Sequence, residues 1–214
     1  MSGKVFLDLH VLQTMPPNCL NRDDTGSPKT AVYGGVRRAR VSSQAWKRAM
    51  RIQFNEDFDA SELSVRTKHV FDLVAAEIIK KQPGISPDEA TKKAVAALTA
   101  VGVKASGKTT DEVKLDALFF ISARQIKNVA ALALGEVSAK DVKAALKSNN
   151  GVDLALFGRM VATDPDLNCD ASAQVAHAIS THHIENEYDF YTAVDDYAKD
   201  IQDHRIQGKR RKGY

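Results

Sequence analysis

The feature that most constrains the fold is a run of helix signals in the middle of the chain, roughly between residues 57 and 148. Residues 62–81 carry an apolar stripe at helical spacing and end before Pro83-Gly84. The next helix is predicted to start at Ser86, with Pro87 at its first position. Segments 122–134 and 138–147 are also predicted to be helical, each beginning at a serine that can cap it. The middle of the chain is therefore expected to be mostly helical.

Strand-like patterns lie on both sides of this helical region. Residues 5–11 alternate between apolar and other side chains, which is typical of a half-buried strand. Segments 151–160 and 172–184 are also predicted to be strands, and 115–121 could be a strand or a buried helix. A long polar stretch through Gly34-Gly35 is predicted to be a loop. The order of elements indicates an α+β sheet domain that carries a helical insertion.

The charge distribution is uneven along the chain. The 214 residues have a net charge of +3, yet residues 25–51 and 205–214 contain twelve basic residues and no Asp or Glu. The rest of the chain contains 18 of the 30 basic residues and all 27 acidic residues, which gives it a net charge of −9. Basic clusters on an acidic body favour binding to a polyanion, although a solvated charged surface would also explain them.

The sequence argues against secretion and against insertion into a membrane. It contains no apolar run of about 18 residues, and Asp8 and His10 interrupt the apolar start of the chain. We therefore expect a cytoplasmic protein. Cys19 and Cys169 do not show the spacing of metal ligands, so free thiols are expected. No metal or cofactor is predicted.

The residues between the basic side chains favour phosphate binding over a plain charged surface. Gly34-Gly35 allows positive φ or a close approach of the backbone to a ligand. Ser42 and Ser43 are predicted to start a helix, where unpaired N–H groups and the helix dipole attract anions. Trp46, Ala49, Met50 and Gln53 are expected to form one face of this helix, with Lys47 and Arg51 on another.

A nuclease is an alternative that the sequence leaves open. His177, His182 and His183 lie close together in the sequence, followed by several acids, and such groups can bind a metal or transfer protons. In a strand, however, His177 and His183 would be about 20 Å apart, and adjacent histidines would point to opposite faces. A third possibility is a general DNA-binding or regulatory protein.

Several segments resemble one known family in their residues and in their order. They are Cys19–Asp24 (CLNRDD), Tyr33–Gln44 (YGGVRRARVSSQ), Lys47–Arg51 (KRAMR), Val152–Met160 (VDLALFGRM), Ala176–His182 (AHAISTH) and Phe190–Asp196 (FYTAVDD). Together they resemble CasC, the family of guide-RNA backbone subunits of the type I-E Cascade complex in CRISPR immunity. The resemblance covers residues 5–196 and is weak within the helical insertion.

The resemblance implies a modified ferredoxin-like (RNA-recognition-motif) sheet with a helical finger and a thumb. The expected division is 1–56 for the first strand, basic loop and helix of the palm, 57–148 for the finger, 149–180 for palm strands, and 181–214 for a partial thumb with an unmatched basic tail. Copies would assemble head to tail on a CRISPR RNA, together with other Cascade subunits. Target DNA would be met only indirectly, through the guide. The subunit would not be an enzyme.

The resemblance also implies roles for individual residues. Arg22, Lys29, Ser42, Gln44, Lys47 and Arg51 match backbone-contacting positions, and Met160 matches an apolar residue beside kinked bases. With the cations and polar groups around them, the predicted RNA-binding residues are Arg22, Lys29, Arg37, Arg38, Arg40, Ser42, Ser43, Gln44, Lys47, Arg48, Arg51, Arg159 and Met160.

Two features depart from the family pattern. Val36 stands where relatives often carry a cation. Family members also continue well past Asp196, whereas residues 197–214 do not match them. Missing strands would leave open sheet edges, so we expect the isolated chain to be marginally stable or prone to aggregation.

Overall fold

The computed structural model describes residues 5–107, 113–162, 164–189 and 211–213. The chain divides into two compact units, one formed by residues 1–46 with 176–214 and the other by residues 47–175. Both belong to a mixed α and β fold with small antiparallel sheets. Helix α1, Ser43–Asp57, begins in the first unit and continues into the second. In the described parts of the chain, no helix is both long and apolar enough to cross a membrane.

The second unit is mainly helical. Strands β3 and β4 pair antiparallel, with Ser64 opposite Ser122 and Thr67 opposite Phe119. The elements of this unit after α1 are β3 (Ser64–Thr67), α2 (Val70–Lys81), α3 (Pro87–Thr99), β4 (Phe119–Ser122), α4 (Ala123–Ala133), α5 (Ala139–Lys147) and α6 (Val152–Phe157).

The core of the second unit lies between helices α2 to α5. Phe71, Ile78, Leu98 and Leu146 are fully buried there. Burial of each such side chain stabilises the fold by about 1.5–3 kcal/mol. The face of α3 that enters the core is built largely from alanines, and these small side chains let the neighbouring helices pack closely.

The serine caps confirm three of the predicted helices. The Ser86 hydroxyl accepts a hydrogen bond from the Glu89 N–H at 3.2 Å. Ser122 and Gln125 form a reciprocal capping box at the start of α4. At the start of α5 the Ser138 hydroxyl accepts the Asp141 N–H at 3.4 Å, as a simple cap.

Two predictions of element type were wrong. The helix expected over 62–81 begins at Val70, because residues 64–67 pair with β4 as strand β3. Residues 151–160 were expected to form a strand but contain helix α6. A Cβ at Gly151 would lie 2.8 Å from the Leu63 carbonyl carbon, so the chain can pass here only as glycine. Gly158, at φ +74°, ends the helix.

The first unit contains a three-stranded antiparallel sheet in the order β1-β2-β5, from Thr30–Tyr33, Val36–Val41 and Ala178–Ile179. Gly34 and Gly35 have φ of 63° and 78° and form the tight turn between β1 and β2. The loop predicted through Gly35 is therefore partly a hairpin. Of the predicted strand 172–184, only Ala178–Ile179 forms a strand, β5, while Glu187–Asp189 (β6) pairs with Arg211–Gly213 (β7).

The strand predicted for residues 5–11 does not form in the described structure. Residues 5–12 have no regular secondary structure, and six large apolar side chains there are 81–93% exposed. Alternation identifies a segment that could pair, but a strand also needs a neighbour to bond with. No described strand pairs with this segment.

Candidate nucleic-acid interface

Strand β2 places three cations in different environments. Arg37 is exposed and lines an open groove with His183 and Glu185. Arg38 is held in place, because its Nε donates to the Tyr33 carbonyl and its Nη1 to the Ser180 carbonyl, both at 3.0 Å. The buried Nε of Arg40 has no hydrogen-bond partner among the described residues.

The loop before the sheet is organised by its own polar groups. One oxygen of the Asp23 carboxylate accepts the N–H groups of Thr25 and Ser27, at 3.0 and 2.8 Å. Arg22 donates from Nη1 to the Gly26 carbonyl at 2.8 Å and so helps to close the loop. The backbone N–H of Lys29 donates to Asn21, which brings this predicted contact residue to the start of β1. The loop thus has a defined shape that positions two predicted contact residues.

The start of helix α1 is more fully satisfied than the sequence suggested. The buried Ser42 hydroxyl accepts the Ala45 N–H at 3.2 Å, which confirms the predicted cap. The N–H of Ser43 donates to Nδ1 of His177 at 2.9 Å. Of the first N–H groups, only that of Gln44 has no acceptor among the described residues. A row of unpaired N–H groups for phosphate is therefore not present at this helix end.

Further along α1, the burial of the side chains does not follow the two expected faces. Lys47, Met50 and Arg51 are half-buried, whereas Trp46 and Ala49 are exposed. The half-buried cations Lys47 and Arg51 both lie near aromatic rings, and Arg51 also pairs with a carboxylate of the second unit. Arg48 lies on the exposed face.

Arg51 makes several contacts that sequence reasoning missed. Its Nε donates to Asp153 Oδ2 at 3.1 Å, and its Cζ lies 4.5 Å from the centre of the Phe120 ring. Lys47 Nζ lies 6.0 Å from the centre of the Phe157 ring. Asp153 is 102 residues away from Arg51 in the chain, so no local pattern could have paired the two.

Arg159 lies in the interior and not at a surface. It is 5% exposed and donates to the carbonyl oxygens of Leu167, Phe120 and Leu146 at 2.8–3.0 Å. Burial lowers the pKa of its guanidinium. These bonds use the donors that a phosphate would need, and we therefore remove Arg159 from the candidate interface. The next residue, Met160, is 85% exposed.

Among the described residues, the histidines behind the nuclease alternative form no metal-holding cluster with acids. His177 accepts the Ser43 N–H at the start of α1, and His182 and His183 are exposed. Within residues 5–107, 113–162, 164–189 and 211–213, no group of three or more His, Cys, Asp or Glu could hold a metal ion. Most of the predicted basic tail, residues 205–210, and the other thumb residues from 190 to 204 lie outside the described residues.

Comparison with known proteins identifies the family of the chain. The model of the family of CT1975-like proteins matches residues 7–204. A chain of a solved "CRISPR RNA-guided surveillance complex, pre-nicking" has a TM-score of 0.80 and 34% identity. That alignment covers 94% of this chain and 59% of the other chain. A chain of a second "CRISPR RNA-guided surveillance complex" has a TM-score of 0.68 and 33% identity, with 80% and 57% covered.

The chain spans less than three fifths of the length of the two solved chains. No curated protein matches it significantly.

Proposed function

The chain belongs to the CT1975-like protein family, and we propose that it is a CRISPR RNA-binding backbone subunit of a Cascade-type surveillance complex. The observation that carries the proposal is the family match over residues 7–204, together with the solved surveillance complexes that the chain resembles. The acid-free segment 25–51 supports it with six cations on strand β2 and helix α1 and a seventh, Lys29, just before β1.

In the proposal each unit, taken by itself, contributes cations to RNA binding. In the first unit, Arg37 supplies an exposed cation on β2, and the loop of Arg22 and Lys29 precedes it. In the second unit, Arg48 is exposed on α1 and Arg51 is partly exposed. Cations of this kind neutralise phosphates, which dominate affinity for nucleic acid and carry no sequence information.

The remaining polar and apolar groups have lesser roles in the proposal. Gln44 offers a side-chain amide and a backbone N–H at the exposed start of α1. Ser42 and Ser43 act mainly by shaping this helix end, since their groups bond within the chain. The exposed thioether of Met160 would contact bases. Arg38 and Arg40 would shape the strand that presents Arg37.

Binding without sequence preference suits this role, because the guide is read by base pairing. We propose that copies of the chain line one CRISPR RNA head to tail in the cytoplasm, in contact with other Cascade subunits and with target DNA only through the guide. Residues 57–148 would form the finger. The antiparallel β1-β2-β5 sheet would belong to a ferredoxin-like palm. Residues 181–214 would contribute to a thumb.

We also propose that the subunit holds its RNA and does not cleave it. The use of His177 Nδ1 as an acceptor for the Ser43 N–H supports a structural role for that histidine. The test is incubation of RNA with the chain and with a variant in which His177, His182 and His183 are all replaced by alanine. Cleavage by the first and not the second, in any divalent metal, would establish the nuclease alternative.

The main experiment measures binding of the chain to several unrelated single-stranded RNAs over a range of salt concentrations. The double variant R37Q/R48Q removes two exposed cations of the proposed interface. It should weaken binding to every RNA alike and flatten the salt dependence, with about 0.7 lost from the logarithmic slope per phosphate contact. K92Q/K140Q removes the same charge from exposed positions on α3 and α5 and serves as the matched control.

Two results would contradict the proposal. One is a loss of binding confined to a single RNA sequence, since phosphate contacts are common to all of them. The other is an equal loss of RNA affinity in R37Q/R48Q and in the control, which would mean that the total charge of the chain determines binding and not these two positions. A preference for duplex DNA over single-stranded RNA would favour a DNA-binding protein instead.

A further inference from the structure

The Arg51 guanidinium is held on several sides. Its Nε bonds to Asp153 Oδ2 at 3.1 Å, and a longer 3.4 Å contact joins its Nη2 to the Ser64 carbonyl. One face of the group lies over Phe120, with 4.5 Å between Cζ and the ring centre. These contacts fix both the position and the plane of the guanidinium, which as an exposed side chain would sample many rotamers.

The position of Asp153 is itself set by the backbone. Its Oδ1 accepts the N–H groups of Ser64 at 2.9 Å and of Leu154 at 3.0 Å. The side chain is only 3% exposed. With one oxygen anchored by two amides, the other oxygen points in a fixed direction, toward Arg51. The carboxylate therefore determines the geometry of the pair.

One edge of the guanidinium remains available. No described residue accepts a hydrogen bond from Nη1, and the Arg51 side chain is 27% exposed. A guanidinium can bond a carboxylate through one edge and a phosphate through another. We propose that Asp153 is a positioning residue for RNA binding, which holds Arg51 so that its Nη1 edge faces a backbone phosphate. This inference rests on the proposed function.

The two effects of Asp153 on RNA binding have opposite signs. As a negative charge it repels phosphate, so its removal should strengthen binding if charge alone mattered. As a positioning group it spares Arg51 the loss of side-chain freedom on binding, and loss of such preorganisation weakens affinity by about 2- to 13-fold. In D153N the amide can still accept the backbone N–H groups, but its NH₂ would meet the Arg51 Nε–H, donor against donor.

The test compares RNA affinity and its salt dependence for the full chain and for D153N, R51Q and the double variant. We expect D153N to bind about 2- to 13-fold more weakly and to lose about 0.7 from the salt slope, as R51Q does. The double variant should bind no more weakly than R51Q alone, because Asp153 acts through Arg51. A purely structural defect would lower the folded fraction, seen by circular dichroism, without changing the slope.

The matched control is D57N, which removes an acid from the exposed end of α1. It should bind RNA as tightly as the parent chain or slightly more tightly. If D153N also binds as tightly or more tightly, with unchanged slope, the inference is overturned. If D153N does not fold, the variant R51K provides the test. A lysine has no second hydrogen-bonding edge, so R51K should bind RNA nearly as weakly as R51Q. Binding of R51K at parental affinity would overturn the inference.

The failure of this inference can be told apart from the failure of the proposed function. In the first case R37Q/R48Q still weakens RNA binding while D153N does not. In the second case the parent chain shows no measurable affinity for single-stranded RNA, and no variant changes it.

Discussion

Replacement of Arg159 by methionine would test whether this buried cation stabilises the second unit. Methionine has a similar length and keeps most of the apolar contact, but it removes every donor of the guanidinium. The carbonyls of Leu167 and Phe120 would lose bonds of 2.9 and 3.0 Å. The Leu146 carbonyl would keep a second donor, the side-chain amide of Gln125 at 2.8 Å.

The expected cost follows from these contacts. A buried acceptor left without its donor costs about 1–3 kcal/mol, and two are affected fully. The guanidinium also loses its place over Phe119, where Cζ lies 5.1 Å from the ring centre. Against this, the variant no longer has to bury a charge, which is the effect that lowers the pKa of Arg159. Two unsatisfied carbonyls at about 1–3 kcal/mol each give an expected net loss of about 3–5 kcal/mol, from a stability typically of about 5–15 kcal/mol.

Urea unfolding followed by circular dichroism measures this loss directly. With a slope of about 2 kcal/mol/M, the midpoint of R159M should fall by about 1.5–2.5 M. R48M makes the same chemical change on the exposed face of α1 and should shift the midpoint by less than about 0.3 M. A similarly small shift in R159M would refute the structural role, and an altered RNA salt slope in the folded variant would return Arg159 to the interface.

Three further predictions concern single contacts. Gly34→Ala forces a side chain into the left-handed region at φ 63° and should cost about 1–2 kcal/mol, measured as a lower midpoint in urea. His177→Ala removes the acceptor of the Ser43 N–H, so this amide should exchange faster with D₂O and the helix start should lose about 0.5–2 kcal/mol; unchanged exchange would argue against the cap. A hydrogen bond from Lys143 lowers the pKa of Asp164, so the pair adds stability above the unfolded value of about 3.9 and loses it as pH falls through the folded value. Asp164→Asn should therefore be less stable than the parent at pH 7 and equal to it near pH 2.

The parts of the fold that the sequence predicted are those whose signals are local. Helices α3, α4 and α5 start at Ser86, Ser122 and Ser138, where the cap and the first turn lie within four residues of each other. Segments 62–69 and 151–160 were assigned to the wrong element, because short apolar runs suit a strand or a helix equally well. Pairing with β4 decides the first, and two glycines delimit the second.

The candidate site was predictable in its composition but not in its geometry. The cations of segment 25–51 and the start of α1 can be identified in the sequence. Nothing local indicates that Asp153 meets Arg51, or that His177 occupies the N–H of Ser43. Arg159 illustrates the same limit, since a cation beside a glycine gives no indication that carbonyl groups 8, 13 and 39 residues away surround it.

The two glycines around α6 have a consequence for sequence alignment. At Gly158 a Cβ would lie 2.7 Å from the Cys169 carbonyl oxygen, and φ is +74°. At Gly151 the obstacle is the backbone of Glu62 and Leu63, at 2.9 and 2.8 Å. Neither position can accept another residue without a shift of the main chain, and the six helical residues between them fix their separation. In divergent chains of this fold, a glycine pair at this spacing would set the alignment register where side-chain similarity has been lost.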